Sequence, residues 1–280
     1  MSAILDVNDL CVSFRQGKRR IPLVENVSFR VEKGRCLGIL GESGSGKSMT
    51  CKALLGLLDD NFEVTGSSAF EGMPLLGASP EKLRRLRGGR IGMVLQNPMS
   101  CFDPLYRIGE QMAETLAEHT RLGRRAMREK MVDILNLMRI RTPEDVLRKY
   151  PHQLSGGMLQ RVMIGLAMSL NPSLIIADEP TTAIDSISQF AIMQEFVRIK
   201  RQGEVSLIFI SHDLGVLSLI ADEVMVMHQG RAVESGTARH VFDNARDAYT
   251  RHLIDQHKAV MSRFLAAIHA GKTPREGSAA

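Results

Sequence analysis

The sequence predicts an α/β fold: a mostly parallel β-sheet flanked by helices, preceded by an antiparallel β region and interrupted by a helical insertion. Three observations predict it. Apolar and polar residues alternate through most of the first forty positions. Strand-like and helix-like segments alternate from about residue 173 onward. Between them, from about 98 to 171, the pattern is helical.

"ILDVNDLCVSF" and "LVENVSFRVEKG" each alternate as half-buried strands, with turn signals "RQGKRR" between them and "EKG" after. "RCLGILG" is a short apolar run, read as a buried strand. The next helix starts near Lys47 and keeps apolar residues at helical spacing through Leu58. Residues 61–95 read as a short antiparallel segment, a basic helix "PEKLRRLRG" and a strand "IGMVLQ". The insertion holds three predicted helices, "RIGEQMAETLAEH", "RAMREKMVDILNLMRI" and "GGMLQRVMIGLAMSL". Alternation then resumes: strand "SLIIADEP", helix "SISQFAIMQEFVRIKRQ", strand "VSLIFIS", helix "LGVLSLIAD", strand "EVMVMHQG", then "RAVESG". A final helix runs into the polar tail "GKTPREGSAA", expected to be disordered. No internal repeat is found.

Composition narrows the classes. The 280 residues are 44% hydrophobic and 24% charged, enough for a sizeable core. The formal net charge of +5 is only mildly basic. The basic clusters "KLRRLRGGR" (82–90) and "RLGRRAMREK" (121–130) lack interleaved aromatics, so they read as solvated helix faces rather than a nucleic-acid surface. Proximity to an anionic membrane surface is the weaker alternative. Cys11, Cys36, Cys51 and Cys101 form no C-x-x-C pair, so neither a zinc site nor a disulfide framework is expected, and a reduced setting fits. "MSAILDVNDL" lacks the pattern of a signal peptide. The longest apolar runs, such as "VMIGLAM", fall short of the roughly 18 residues a membrane span needs.

Three motifs carry chemistry. "GESGSGKS" (41–48) fits the phosphate-loop pattern at Gly41, Gly46, Lys47 and Ser48. The glycines let the loop wrap, so that backbone N–H groups from Ser43, Gly44, Ser45 and Gly46 through Met49 face phosphate at a helix N-terminus. Lys47 should reach the β- and γ-phosphates and Ser48 should ligate Mg²⁺. The plain alternative, an ordinary Gly-Ser loop, fits poorly with a strand before and a helix after it. "SLIIADEP" ends an apolar strand in two carboxylates. Asp178 suits a Mg²⁺ role, and Glu179 could orient or deprotonate an attacking water. In "QLSGGMLQR", Ser155 with Gly156 and Gly157 reads either as a simple helix cap or as a second anion cradle. A second cradle makes sense if it serves a nucleotide bound to another chain.

With "LSGG" after a helical insertion, the chain resembles ATP-binding cassette (ABC) proteins over roughly residues 4–245. Further positions agree in order. Gln96 in "LQNP" resembles the Q-loop glutamine, which contacts metal and attacking water and faces the membrane partner. Asp185 in "TTAID" resembles the D-loop aspartate, and His212 in "FISHD" the switch histidine. Phe14 is similar in placement to the aromatic that stacks on adenine, and an aromatic there is equally a core residue. The resemblance implies a P-loop ABC ATPase core at 1–245 with its helical subdomain at about 98–171, then a C-terminal helix and polar tail at 246–280. It implies ATP and Mg²⁺ as ligands.

Two departures narrow the group. Met158 stands where glutamine is commonest, and Ile184 where leucine is commoner. Peptide and nickel importers often carry Met at the first position. "GESGSGKSMTCKALLGLL", "QNPMSCFDPL", "YPHQLSGGMLQRVMIGLAM" and "IIADEPTTAID" together resemble the dipeptide, oligopeptide and nickel importers. "SMTC", "MLQRVMI" and the compact C-terminus resemble the first ATP-binding subunit of nickel importers. Peptide-importer subunits usually carry "HPYT"; here "RDAYTRHL" has Asp247 and Ala248 instead, and no cysteine follows Cys101. The resemblance therefore implies an ATPase subunit on the cytoplasmic face of the membrane. Its partners would be a second ATP-binding subunit (a related chain, or an identical copy), two membrane permease subunits and an extracytoplasmic substrate-binding protein. A di- or oligopeptide importer is the alternative. A soluble ABC-type protein in a multi-subunit enzyme complex is the competing class. The scattered histidines make no ligand cluster, so nickel is not read from this chain's own residues.

Overall fold

A computed structural model describes residues 2–182, 184 and 186–270. Asp185 and the polar tail at 271–280 lie outside the described residues. The chain opens with a long hairpin, β1 (Ala3–Gln16) and β2 (Arg19–Glu32), closed by a two-residue turn at Gly17 and Lys18. β3 (Cys36–Leu40) follows, then α1 (Lys47–Leu54), β4 (Phe62–Phe70), β5 (Met73–Pro74), α2 (Pro80–Leu86) and β6 (Ile91–Val94). Four helices come next: α3 (Ile108–His119), α4 (Arg124–Leu137), α5 (Pro143–Arg148) and α6 (Gly156–Met168). The last part alternates β7 (Leu174–Asp178), α7 (Ser186–Gln202), β8 (Ser206–Ser211), α8 (Leu214–Ile220), β9 (Glu223–His228), β10 (Arg231–Thr237), α9 (Ala238–Asp243) and α10 (Ala248–Ala270).

The strands form two sheets. One is antiparallel, in the order β2-β1-β4-β5. The other has the order β10-β9-β3-β8-β7-β6 and is parallel apart from the β9–β10 pair. β3, β7 and β8 are buried along their whole length, as continuous apolar runs require in a sheet covered on both faces. The period of two then divides the core. Leu37, Ile39, Ile176, Ile208 and Ile210 pack with α1 and the antiparallel sheet. Cys36, Leu40, Ile175, Leu207 and Phe209 face the other way, in the core that takes in the helices from α3 to α6.

The predicted α/β class holds. Three elements differ from their sequence reading. α1 stops at Leu54 rather than Leu58, because Gly56 turns left-handed at φ 59° and breaks the helical run. α5 and α9 were not anticipated; each has six residues, too few to display a helical period.

Parallel strands place their carboxyl ends along one edge of the sheet, where α/β proteins build sites. Leu40 is level with Ser211, Ile210 with Asp178, and Ala177 with Val94. The loops that follow β3, β7, β8 and β6 therefore all emerge together.

Candidate functional site

The loop after β3 carries Gly41 to Ser48 and feeds straight into α1. It runs close against β9: a Cβ on Gly41 would lie 2.3 Å from the Met227 carbonyl oxygen, so no other residue fits there. On the far side, the Gly230 N–H donates to the Ser45 carbonyl at 3.0 Å. The N–H groups of Gly46, Lys47 and Ser48 have no partner among the described residues. The Ser45 hydroxyl oxygen is buried and also unpartnered among them. Free N–H groups, a buried unpaired hydroxyl and a helix N-terminus make a cradle suited to phosphate oxygens. The Met49 side chain turns away and packs in the core beneath the antiparallel sheet, leaving only its backbone for the loop.

Lys47 is 4% exposed, and its Nζ donates to the Gly41 and Glu42 carbonyls at 2.8 Å each. Burial pushes its pKa below the usual lysine range, while Glu179, Asp178 and Glu42 pull the other way. A desolvated ammonium at the mouth of an anion cradle gains most from a phosphate. The Ser48 hydroxyl donates to Asp178 Oδ1 at 2.7 Å. Burial raises the Asp178 pKa, with the Ser48 hydroxyl opposing it. Two hard oxygen donors, one from each element, are thus within reach of one cation, and this donor set fits magnesium.

Glu179 sits beyond the end of β7 in a left-handed conformation at φ 45°, with its N–H bonded to the Ile210 carbonyl at 3.0 Å. That turn sends its side chain toward the neighbouring loops. Two donors reach its Oε2, Gln96 Nε2 at 3.1 Å and Thr182 Oγ1 at 2.9 Å, and His212 Nδ1 lies 3.3 Å from the same oxygen. Lys47 Nζ lies 3.9 Å from its other oxygen. The carboxylate is held on one side and faces the cradle on the other.

The remaining predicted residues lie apart from this cluster. Ser155 is the N-cap of α6 and accepts from the Met158 N–H at 3.3 Å. An added Cβ at Gly156 would meet nothing within 4 Å, so the "LSGG" turn presents open space. Ser43 and Gly44 are exposed at the loop crest. Phe14 is half-buried on β1, its ring 5.2 Å from that of Phe62. Asp185 lies outside the described residues. Thr182 and the Glu42 carbonyl were not singled out from the sequence. A Thr three residues after an acidic strand end is the only available signal for the first. The second acts through its backbone, which residue type does not reveal.

Fold and site together are those of a P-loop cassette that binds and hydrolyses a nucleotide. The ABC transporter family profile matches residues 24–182. The metal-staphylopine import system ATP-binding protein of Staphylococcus aureus is 43% identical over 243 residues, covering 87% of this chain and 90% of that one. The oligopeptide transport ATP-binding protein of Bacillus subtilis is 39% identical over 252 residues, covering 89% of this chain and 70% of that one. A solved dimeric bacterial ABC transporter cassette superposes with a TM-score of 0.74 at 25% identity, covering 84% of this chain and 99% of that one. The chain belongs to the ABC transporter family. It is an ATPase whose hydrolysis is coupled to transport.

Proposed function

We propose that this chain powers an importer for nickel, free or in a small chelate, by hydrolysing MgATP at the Gly41–Ser48 loop. The observation that carries the hydrolytic reading is the Glu179 carboxylate, held by Gln96 and Thr182 with His212 and Lys47 beside it. Lys47 and the loop N–H groups would bind the phosphates. Ser48, with Asp178 and Gln96 nearby, would hold Mg²⁺, which when bound neutralises phosphate charge. Glu179 would orient and deprotonate the water, and His212 would steady Glu179 and sense the terminal phosphate. Phe14 would stack on the adenine from the antiparallel sheet.

The nickel reading draws on the metal-staphylopine relative and on "SMTC" and "MLQRVMI". The oligopeptide relative favours peptides as the second reading. Uptake by the assembled transporter, compared for Ni²⁺, a nickel chelate and dipeptides, decides between them. Stimulation by peptide alone would remove the nickel assignment.

The cassette would work in pairs, with a related chain or a second copy, each ATP lying between one loop and the partner's Ser155–Gly157 turn with Asp185 beside it. The open space at Gly156 supports this arrangement. No helix among the described residues is long and apolar enough to cross a membrane. Two permease subunits would supply the pathway at the cytoplasmic face, fed by an extracytoplasmic binding protein. Met99, Leu105 and Tyr106, exposed at 45%, 79% and 56% just after Gln96, offer an apolar contact for a permease.

Two measurements test the pairing. ATPase activity per chain should rise with concentration, because each site is completed across an interface. Full activity at high dilution would refute shared sites. Ser155→Arg should cost about 1 kcal/mol through the lost cap and leave ATP binding to its own loop intact. The guanidinium would fill the partner's phosphate space, so dimer closure and hydrolysis at the partner's site should fail. Normal complex ATPase would leave Ser155 as a cap alone.

A further inference from the structure

The start of α10 touches the nucleotide loop. The Glu42 N–H donates to Tyr249 Oη at 3.2 Å. The Tyr249 ring stacks on His228, with centroids 3.8 Å apart and planes at 29°. His228 ends β9, the strand that closes one side of the loop. Tyr249 is itself fixed. Asp247 Oδ1 accepts from the Tyr249 and Thr250 N–H groups at 2.9 and 3.1 Å, capping α10. The Glu234 carboxylate on β10 accepts from the Arg246 and Asp247 N–H groups at 2.8 and 3.2 Å. A continuous run of contacts thus ties β10 and β9, through the first turn of α10, to the second residue of the loop.

We propose that Tyr249 is a positioning residue for the ATP site: its hydroxyl holds the Gly41–Glu42 segment in the shape that receives phosphate. The inference rests on reading Gly41–Ser48 as the phosphate loop. Both carbonyls of that segment accept from Lys47 Nζ, so its orientation also sets where the ammonium waits. Glu42 is exposed, and water can satisfy its N–H if the phenol is lost. The hydroxyl therefore contributes order rather than rescue of a stranded donor. A loop held in one shape has less to lose when nucleotide binds, and affinity benefits. Chemistry gains little: Gln96, Thr182 and His212 beside Glu179 come from the loops after β6, β7 and β8, and none of them is hydrogen-bonded to Tyr249 among the described residues.

The same helix also limits the space beside the loop. Leu253, Gln256 and His257 line a cleft of about 290 Å³ with Gly41, Glu42 and His212. The first part of α10, from Tyr249 to His257, therefore belongs to the wall of the site.

Tyr249→Phe keeps the ring and its stack on His228 and removes only the hydroxyl, with its hydrogen bonding to Glu42. In the full chain, MgATP affinity should fall about fivefold, the loss of one ordering hydrogen bond. In the assembled transporter, KM for ATP should rise by about the same factor with kcat within about twofold. Native-state amide exchange supplies a direct readout: the Glu42 amide should lose protection while those of Ile39 and Leu40 keep theirs. Wild-type affinity with wild-type Glu42 protection overturns the proposal, and so does an equal fall in kcat. A Tyr249→Phe chain that melts earlier yet keeps Glu42 protection and KM also overturns it. If the wild-type chain fails to bind MgATP, or Lys47→Ala binds it normally, the phosphate-loop reading itself fails, whatever Tyr249→Phe does.

Discussion

Replacing Glu179 with glutamine is expected to lower ATP turnover by roughly 10² to 10⁴, the usual share of a positioned general base. MgATP binding should remain. The amide keeps the volume and one oxygen for the donors Gln96 and Thr182 on Oε2. It loses the basicity needed to take a proton from water. The charge beside Lys47, 3.9 Å away, is lost too, which frees the ammonium to turn fully to phosphate. On the paired arrangement proposed above, the variant should accumulate as an ATP-bound dimer, because opening would there await hydrolysis. Size-exclusion chromatography with and without MgATP reads the dimer, and phosphate release in the complex reads turnover. Turnover at the wild-type rate would exclude Glu179 as the base.

Replacing Lys47 with alanine is expected to weaken MgATP binding by about 100-fold, equivalent to roughly 2.7 kcal/mol of charge-assisted hydrogen bonding. Lys47 is a buried cation held by two carbonyls, with burial pressing its pKa down. Such a group is costly to keep without an anionic ligand. Its removal leaves the loop N–H groups and the Ser45 hydroxyl but no pre-placed charge. Calorimetric titration with MgATP and with MgADP gives the size of the loss. The loss should be larger for ATP, which carries the phosphate that the ammonium is placed to meet. Unchanged affinity for both nucleotides would contradict a phosphate-binding role for the loop. A melting curve taken alongside separates lost binding from lost fold.

Residue type and spacing alone settled several features of this chain. "GESGSGKS" between an apolar run and a helix needs no tertiary partner to be recognised, because phosphate binding there uses local backbone and the next side chain. The buried strands of the parallel sheet were legible for a similar reason: strands covered on both faces must be apolar throughout. Asp178 and Glu179 were visible as a pair of carboxylates at a strand end.

What they do together was not legible. Gln96, Glu179 and His212 follow three different strands, far apart in the chain. Only the strand order β3-β8-β7-β6 brings their loops to one edge. The left-handed turn at Glu179, the donor from Thr182 and the carbonyl ties of Lys47 depend on backbone conformation that residue identity does not dictate. The reach of Tyr249 to Glu42 spans more than 200 positions, as the pair lies |i−j| = 207 apart. Local sequence specifies which chemical groups are present and the period on which they lie. Which of them meet is decided by long-range pairing and packing, because those contacts form only when distant strands share a sheet.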